Sequence, residues 1–268
     1  MLKDITLGQF FPGRSPVHRM DPRTKLLVLT AYIVLLFIAN NWISYGVLLV
    51  FLLAAIRIST IPFKSIVRGM KPVVFILLFT GILNLFFTAE GTVLVHFWRL
   101  TITDQGLIRA IFMMSRILML ISGTFLLTYT TSPISLTDGL ESLMGPLKKI
   151  RVPVHELSMM MCIALRFIPT LIEETDKIMC AQKARGADFE TGNLIQKAKA
   201  LLPILVPLFV SAFRRADELA TAMECRCYQG DVGRTKMKLL RFSRLDLYAF
   251  LAAGGLIAVI SVLRAFGL

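Results

Sequence analysis

The stretch Leu26–Arg57 reads LLVLTAYIVLLFIANNWISYGVLLVFLLAAIR, and its pattern decides the class of fold. Two apolar blocks, 26–39 and 43–56, are separated by Asn40-Asn41-Trp42 and closed by Arg57. Each block is shorter than the roughly 20 residues that a bilayer helix needs, but Trp42 suits the membrane interface and Arg57 can snorkel to it. The stretch therefore predicts a hairpin of two transmembrane helices, with Asp21 as the cap, Pro22 in the first turn and Arg23 and Lys25 as anchors at the cytoplasmic face.

Three further apolar stretches predict membrane spans at 72–89, 107–130 and 245–263, and the mixed stretch 90–106 predicts a loop. The composition agrees, because 56 % of the 268 residues are hydrophobic and 18 % are charged. An ordinary soluble domain has about 45–50 % apolar and about 25 % charged residues, so a soluble enzyme is disfavoured. Residues 1–21 carry charges, Gly and Pro instead of an apolar run, and no signal peptide is predicted there. We expect an all-α polytopic membrane protein with about five transmembrane helices.

The segment 131–244 has a different pattern and predicts three amphipathic helices. The first covers 134–150, the second runs from Pro153 to about Gly186, and the third follows Asn193. The third is apolar over 201–213 and polar over 214–230, and 13 apolar residues are too few to span a bilayer comfortably. We therefore predict three regions: 1–130 with a lead-in and four spans, 131–244 as a cytoplasmic coupling segment, and 245–268 as the last span.

The basic residues predict the orientation. The chain has 30 Lys and Arg against 17 Asp and Glu, a net charge of +13. Five basic residues precede Leu26, four lie in 57–71 and 17 lie in 131–244. The positive-inside rule then predicts a cytoplasmic N-terminus. The 17 basic residues of the long segment are mixed with 12 acidic ones, which favours a protein partner or the lipid surface over nucleic acid.

A short motif occurs twice in the long segment. Ala181-Gln182-Lys183-Ala184-Arg185-Gly186 and Ala222-Met223-Glu224-Cys225-Arg226-Cys227 share the pattern A-x-x-small-Arg-small, with the arginines 41 residues apart. Small neighbours leave the guanidinium as the only protrusion at a helix end, where its planar fork can bind carboxylates or backbone carbonyls. An arginine can also simply complement the dipole of its own helix. Two copies on consecutive helices favour two similar docking sockets.

Motifs of catalysis are absent from the sequence. It contains no G-x-x-x-x-G-K-[ST] phosphate loop, no H-E-x-x-H and no G-x-S-x-G. The cysteines do not form a disulfide pattern, and Cys225 and Cys227 have no second ligand pair for a metal. We predict no catalytic residue, no cofactor and no metal. A self-sufficient channel or secondary carrier is the alternative, although neither a polar path nor inverted repeats are evident.

The paired arginine motifs and the run Gly8–Lys25, GQFFPGRSPVHRMDPRTK, resemble the transmembrane T component of energy-coupling factor vitamin importers, a family related to the membrane subunits of cobalt and biotin uptake systems. The resemblance covers essentially the whole chain in order. One departure is that the second motif has Cys-Arg-Cys where Ala-Arg-Gly is commoner, so no glycine directly follows Arg226.

This resemblance implies a non-catalytic scaffold for the ATP-driven import of a vitamin or metal across the cell membrane of a prokaryote. Two ABC-type ATPase subunits would receive the helix ends at Ala184, Arg185, Gly186, Cys225, Arg226 and Cys227. The amphipathic helices would hold a small membrane-embedded substrate-binding subunit. Its candidate contacts are Leu140, Met144, Leu157 and Met161.

Overall fold

The computed structural model describes residues 10–87, 93–97, 100–187, 189, 193–230 and 239–266. Helices dominate this part of the chain, which confirms the predicted class, and one two-stranded hairpin interrupts them. The elements in order are α1 (Pro16–Arg19), α2 (Pro22–Ile38), α3 (Trp42–Ser59), α4 (Phe63–Phe87), β1 (Val93–Phe97), β2 (Leu100–Thr103), α5 (Asp104–Thr130), α6 (Pro133–Leu143), a 3-10 helix (Gly145–Ile150), α7 (Val154–Ala184), α8 (Leu194–Glu224) and α9 (Arg244–Ala265).

The predicted first hairpin is confirmed as α2 and α3, and local signals explain its ends. Asp21 caps α2, because its side chain accepts a hydrogen bond from the Arg23 N–H at 2.9 Å, and Pro22 occupies the first helical turn. The backbone leaves α2 at Ala39 and re-enters a helix at Trp42. Thr60, with φ 57°, ends α3 in the left-handed conformation.

Five of the described helices are long and apolar enough to cross a membrane. They are α3, α4, α5, α7 and α9. The number agrees with the prediction, but the membership differs: α7 is included, and α2, with 17 residues, is not. The apolar first half of α7 accounts for its inclusion, since most of its charges follow Ile172.

Three predicted boundaries are wrong in detail. The third span was expected from residue 72, whereas α4 begins at Phe63 and carries Pro72 inside it. The stretch 90–106 was expected to be a loop, but its described part contains β1 and β2 paired antiparallel, followed directly by α5. Thr103 caps α5 by accepting a hydrogen bond from the Gly106 N–H at 3.1 Å, which moves the start of the helix forward to Asp104.

The expected continuous helix over 134–150 is also wrong. The chain forms α6 up to Leu143 and then a 3-10 helix that starts at Gly145. Pro146 has no N–H to continue the α-helical ladder, and Gly145 adds backbone freedom immediately before it. The apolar stripe continues through this break, so its periodicity gave no sign of it.

The chain forms two compact units. One unit, here called the membrane unit, comprises Gly8–Gly139 and Leu240–Leu268. The other, here called the arm unit, comprises Leu140–Leu239. The core of the membrane unit centres on fully buried side chains of its helices: Leu36, Leu48, Ile66, Tyr129 and Ile260.

A buried polar cluster joins the starts of α2 and α9 in the membrane unit. The carboxylate of Asp246, 1 % exposed, accepts hydrogen bonds from the Asp21 N–H at 2.9 Å and the Ser243 N–H at 2.7 Å. Beside it, the Lys25 ammonium donates to the Thr130 carbonyl and the Thr131 hydroxyl at 3.0 and 3.1 Å. We had expected Lys25 to anchor α2 at the membrane surface, but it is 7 % exposed and ties α2 to the end of α5.

The short helix α1 lies beside this cluster and has its own polar support. Nδ1 of His18 lies 2.6 Å from the Ser15 hydroxyl and Nε2 lies 3.0 Å from the Phe11 carbonyl. These contacts fit the neutral tautomer with hydrogen on Nε2. Partial burial lowers the pKa of His18, although the hydrogen bond to Phe11 opposes the shift.

Arg116, a charged residue in the middle of the fourth predicted span, binds at the turn between α2 and α3. Its Nε donates to the Tyr45 hydroxyl at 2.8 Å, and its Nη2 lies 3.4 Å from the Ala39 carbonyl. The guanidinium also lies 5.5 Å from the centre of the Phe37 ring. Arg116 therefore connects α5 to the turn instead of facing lipid with an unsatisfied charge.

We predict that Asp246→Ala destabilises the protein, because it leaves the buried Asp21 N–H without an acceptor and removes the Asp246 half of the capping box at the start of α9. The cost should be about 1–3 kcal/mol. Asp104→Ala is the matched control, since Asp104 also lies in the first turn of a helix but is exposed. Thermal unfolding in detergent should show a lower midpoint for Asp246→Ala only, and an equal decrease in both variants would contradict the interpretation.

Candidate coupling site

The two arginine motifs lie at helix ends with the same hydrogen-bond pattern. At the end of α7, the Gly186 N–H donates to the Lys183 carbonyl and the Ala187 N–H to the Gln182 carbonyl, both at 3.0 Å. At the end of α8, the Cys227 N–H donates to the Glu224 carbonyl at 2.9 Å and the Tyr228 N–H to the Met223 carbonyl at 3.1 Å. Both patterns are Schellman motifs, in which the residue after the cap is left-handed.

The left-handed residue explains the small neighbour that follows each arginine. Gly186 has φ 88° and Cys227 has φ 55°. A glycine adopts this conformation without steric penalty, whereas a residue with a Cβ atom pays roughly 1–2 kcal/mol. The second motif thus has the same cap hydrogen bonds as the first, although it lacks the glycine and α8 ends one residue earlier in its motif.

All six predicted coupling residues are exposed: Ala184, Arg185, Gly186, Cys225, Arg226 and Cys227. Within the described ranges, neither guanidinium forms an ion pair or a side-chain hydrogen bond. Among the described residues, the two arginine side chains therefore make no hydrogen bond to the carbonyls of their own helices. Each stands at a helix tip with its donors available to another molecule.

Helices α7 and α8 of the arm unit pack antiparallel. Glu174 accepts hydrogen bonds from the Ser211 hydroxyl and from Arg215 Nη2, the latter at 2.6 Å. Farther along, Gln182 Nε2 lies 3.5 Å from the Pro203 carbonyl. Residue 174 of α7 contacts residues 211 and 215 of α8, whereas residue 182 contacts residue 203, so the two helices run in opposite directions. Their tips therefore lie at opposite ends of the pair. At 1.5 Å per residue they are separated by about 35 Å along α8.

The predicted contacts for a substrate-binding subunit also lie in the arm unit. Leu140, Leu157 and Met161 are 39 %, 42 % and 47 % exposed, and Met144 is half-buried. The carboxylate of Glu141 accepts from the Ser158 hydroxyl at 3.0 Å and lies 3.2 Å from His155 Nδ1. These bonds connect the end of α6 to the start of α7. Leu140 and Met144 therefore lie near the α6 side of this polar contact, and Leu157 and Met161 follow it on α7.

A larger apolar surface on α8 was not among the predicted site residues. Seven large apolar side chains of the stretch 201–213 are each at least half exposed: Leu201, Leu202, Leu205, Val206, Phe209, Val210 and Phe213. Phe209 and Phe213 pack edge to face with ring centres 4.7 Å apart. The sequence contained the signal, because an apolar run too short to span a bilayer needs another apolar surface to cover it.

Among the described residues, no three His, Cys, Asp or Glu side chains come together in an arrangement that could hold a metal ion. Cys225 and Cys227 are exposed free thiols at the tip of α8. Their visible role there is steric, because each is small enough to leave Arg226 as the projecting side chain.

Comparison with known proteins identifies relatives over nearly the whole chain. A family model described as cobalt transport protein, CbiQ, matches residues 13–238. A protein of Thermosediminibacter oceani is 54 % identical over 265 residues, covering 99 % of each chain, and one of Clostridium kluyveri is 56 % identical over 260 residues, covering 97 % of this chain and 96 % of the relative. A Bacillus subtilis protein is 46 % identical over 99 % of this chain and all of the relative. Each of the three is named energy-coupling factor transporter transmembrane protein EcfT.

We predict opposite effects of glycine changes at the two tips. Gly186→Ala should weaken the end of α7, and Cys227→Gly should strengthen the end of α8, each by about 1 kcal/mol. Hydrogen–deuterium exchange should then change about fivefold, faster at the Ala187 N–H in the first variant and slower at the Tyr228 N–H in the second. Gly145→Ala is the control, since its added Cβ meets no atom within 4 Å and its φ is not left-handed. Unchanged exchange at both tips would show that the caps do not limit their opening.

Proposed function

Since this chain belongs to the CbiQ family as a transmembrane EcfT component of an energy-coupling factor transporter, we propose that it is the non-catalytic scaffold of an ATP-driven importer. In this proposal, two ABC-type ATPase subunits bind the tips of α7 and α8. A small membrane-embedded subunit that binds a vitamin or metal packs on the arm unit. Closure of the ATPases displaces the tips, and the long helices carry that displacement to the substrate-binding subunit.

The observation that carries the proposal is the repetition of one cap geometry at two separated tips. Each tip presents one exposed arginine that has no acidic partner in the described residues. A guanidinium fork suits a groove lined with carboxylates or backbone carbonyls. Because the tips lie at opposite ends of an antiparallel pair, they suit two separate and similar subunits better than one.

The exposed apolar side chains of α7 and α8 support the second interface. Leu157 and Met161 on α7 and the stretch 201–213 on α8 expose a large apolar area, of the kind that marks an interaction site. Met side chains are adaptable and can pack against differently shaped partners. We include Leu140 and Met144 in the same interface because Glu141 links α6 to the start of α7.

For the topology, we propose that α2, α3, α4, α5 and α9 cross the membrane and that the N-terminus is cytoplasmic. α2 has 17 residues, which gives about 25 Å of helix and nearly spans the hydrocarbon core of about 30 Å. α7 has enough apolar character to span but lies in the arm unit, and we place it at the membrane surface. This arrangement leaves most of the basic residues on the cytoplasmic side.

We predict that the double variant Arg185→Glu/Arg226→Glu inserts into the membrane but loses its ATPase subunits, because each new carboxylate meets a groove suited to a cation. Copurification of the ATPases should fall at least about tenfold, equivalent to 1.4 kcal/mol or more. The double variant Lys149→Glu/Arg151→Glu is the control, since these exposed residues carry the same charge away from both tips. Wild-type ATPase yield with the tip variant would disprove the assignment.

The second interface has a separate prediction. Leu157→Glu/Met161→Glu should detach the substrate-binding subunit and leave the ATPases bound, because the charges would be buried against an apolar surface. The control Ile195→Glu changes a side chain that is 72 % exposed on α8 but lies outside the proposed surface. The measurement is the ratio of the two partners in the purified complex. Loss of both partners together would indicate a folding defect and reject the separate-interface model.

A further inference from the structure

A cavity of about 460 Å³ lies within the membrane unit, between four helices and α1. Its lining residues span Lys25–Tyr32 of α2, Phe51–Ile58 of α3, Gly123–Thr130 of α5 and Leu245–Ala252 of α9. Each range covers two helical turns, so the cavity extends about 10 Å along the bundle. All four ranges lie at the end of the bundle where α2 and α9 begin, and Pro16, Val17 and Met20 of α1 complete the lining there.

The cavity is apolar and opens sideways. Its lining contains no acidic residue, and its one charged residue, Lys25, is buried and already bonded to the end of α5. Tyr32 and Leu52 at the back are 3 % and 4 % exposed, whereas Ile58 and Tyr248 are 52 % and 65 % exposed. The mouth therefore lies between α3 and α9.

Because this cavity is open on one side, its apolar walls need an apolar occupant from outside the bundle. Protein interiors have few voids larger than a water molecule, and an unfilled apolar void loses the dispersion contacts of its walls. Water gains few hydrogen bonds on such walls. The cavity lies in the size range of binding pockets, about 300–1,000 Å³, and it opens toward the hydrocarbon that surrounds a transmembrane bundle. An acyl chain has the shape and the polarity to fill it.

Positive charges mark the same end of the bundle. Arg19, Arg57 and Arg244 are exposed, and each directly adjoins a lining residue in sequence: Met20, Ile58 and Leu245. In the part of the chain that the structure describes, none of the three has an acidic partner. The nearby carboxylates of Asp21 and Asp246 are buried; Arg23 pairs with Asp21, and Lys25 interacts electrostatically with both carboxylates. The three arginines thus give this end of the cavity an uncompensated positive charge, which complements an anionic headgroup.

We propose that this cavity holds one acyl chain of an anionic phospholipid and that Arg19, Arg57 and Arg244 hold its phosphate. The lipid fills the space between α2, α3, α5 and α9 and is a structural part of the membrane unit. This site goes beyond the proposed coupling function, because it involves neither the arginine tips nor the arm unit.

Native mass spectrometry of the full-length purified chain tests the site. With palmitoyl-oleoyl phosphatidylglycerol added, we expect one tightly held lipid per chain, bound about tenfold more tightly than phosphatidylcholine with the same chains. Ala252→Phe should abolish this preference by filling the cavity. Gly255→Phe is the control on the same helix, since Gly255 does not line the cavity and its added Cβ meets no atom within 4 Å. Equal binding in both variants would overturn the proposal.

The headgroup contact has its own test. Arg19→Gln/Arg57→Gln/Arg244→Gln should lower phosphatidylglycerol binding to the level of phosphatidylcholine, and Arg264→Gln, which changes an arginine in the last turn of α9, should not. Glycerol 1-phosphate carries the phosphate without the chains and should not compete. If glycerol 1-phosphate does compete, the site binds a free phosphate and not an acyl chain, and the proposal is rejected.

A labelling experiment does not depend on any variant. Phosphatidylglycerol with a photoreactive diazirine in its acyl chain should label peptides containing 51–58 and 245–252 in wild-type protein. Labelling spread evenly over the apolar helices would reject the site. Copurification of the ATPases with Ala252→Phe keeps the two proposals separate, because the coupling proposal requires normal ATPase binding even when the lipid is lost.

Discussion

The membrane unit depends on one buried carboxylate. Asp246 completes the capping box at the start of α9 and also accepts the Asp21 N–H, 225 residues earlier in the chain. It thereby joins the starts of the first and last long helices of the unit. Lys25, one turn into α2, extends the same cluster to the end of α5. A charge this deeply buried is stable only when its hydrogen bonds are complete, so the cluster fixes the positions of three helix ends together.

Local signals allowed much of this architecture to be predicted from sequence. The Asp21-Pro22 start of α2, the Asn41-Trp42 turn and the two arginine tips each depend on a few adjacent residues, and each was found where expected. The break at Gly145-Pro146 was missed because the apolar stripe continues across it. The burial of Lys25 was missed for another reason, since sequence alone cannot show that the end of α5 lies beside it.

In the candidate site, too, features that depend on adjacent residues were predicted from sequence, whereas features that depend on distant residues were not. The repeated motif predicted both tips, and the structure added the reason for the small residue after each arginine. The antiparallel pairing of α7 and α8 depends on Glu174, Ser211 and Arg215, which are far apart in sequence and belong to no recognisable motif. The exposed stretch 201–213 also escaped the site prediction, because sequence alone does not show that the rest of the described chain leaves these apolar side chains uncovered.

The long helices of the arm unit contain three internal prolines, Pro169 in α7 and Pro203 and Pro207 in α8. Each removes one backbone hydrogen bond from its helix and lowers the local resistance to bending. From Pro207 to Glu224, α8 contains no further proline, so bending of the helix is easiest at Pro203–Pro207. Under the proposed coupling mechanism, a force at the tip of α8 would be converted into rotation about Pro203–Pro207, beside the exposed apolar side chains of 201–213.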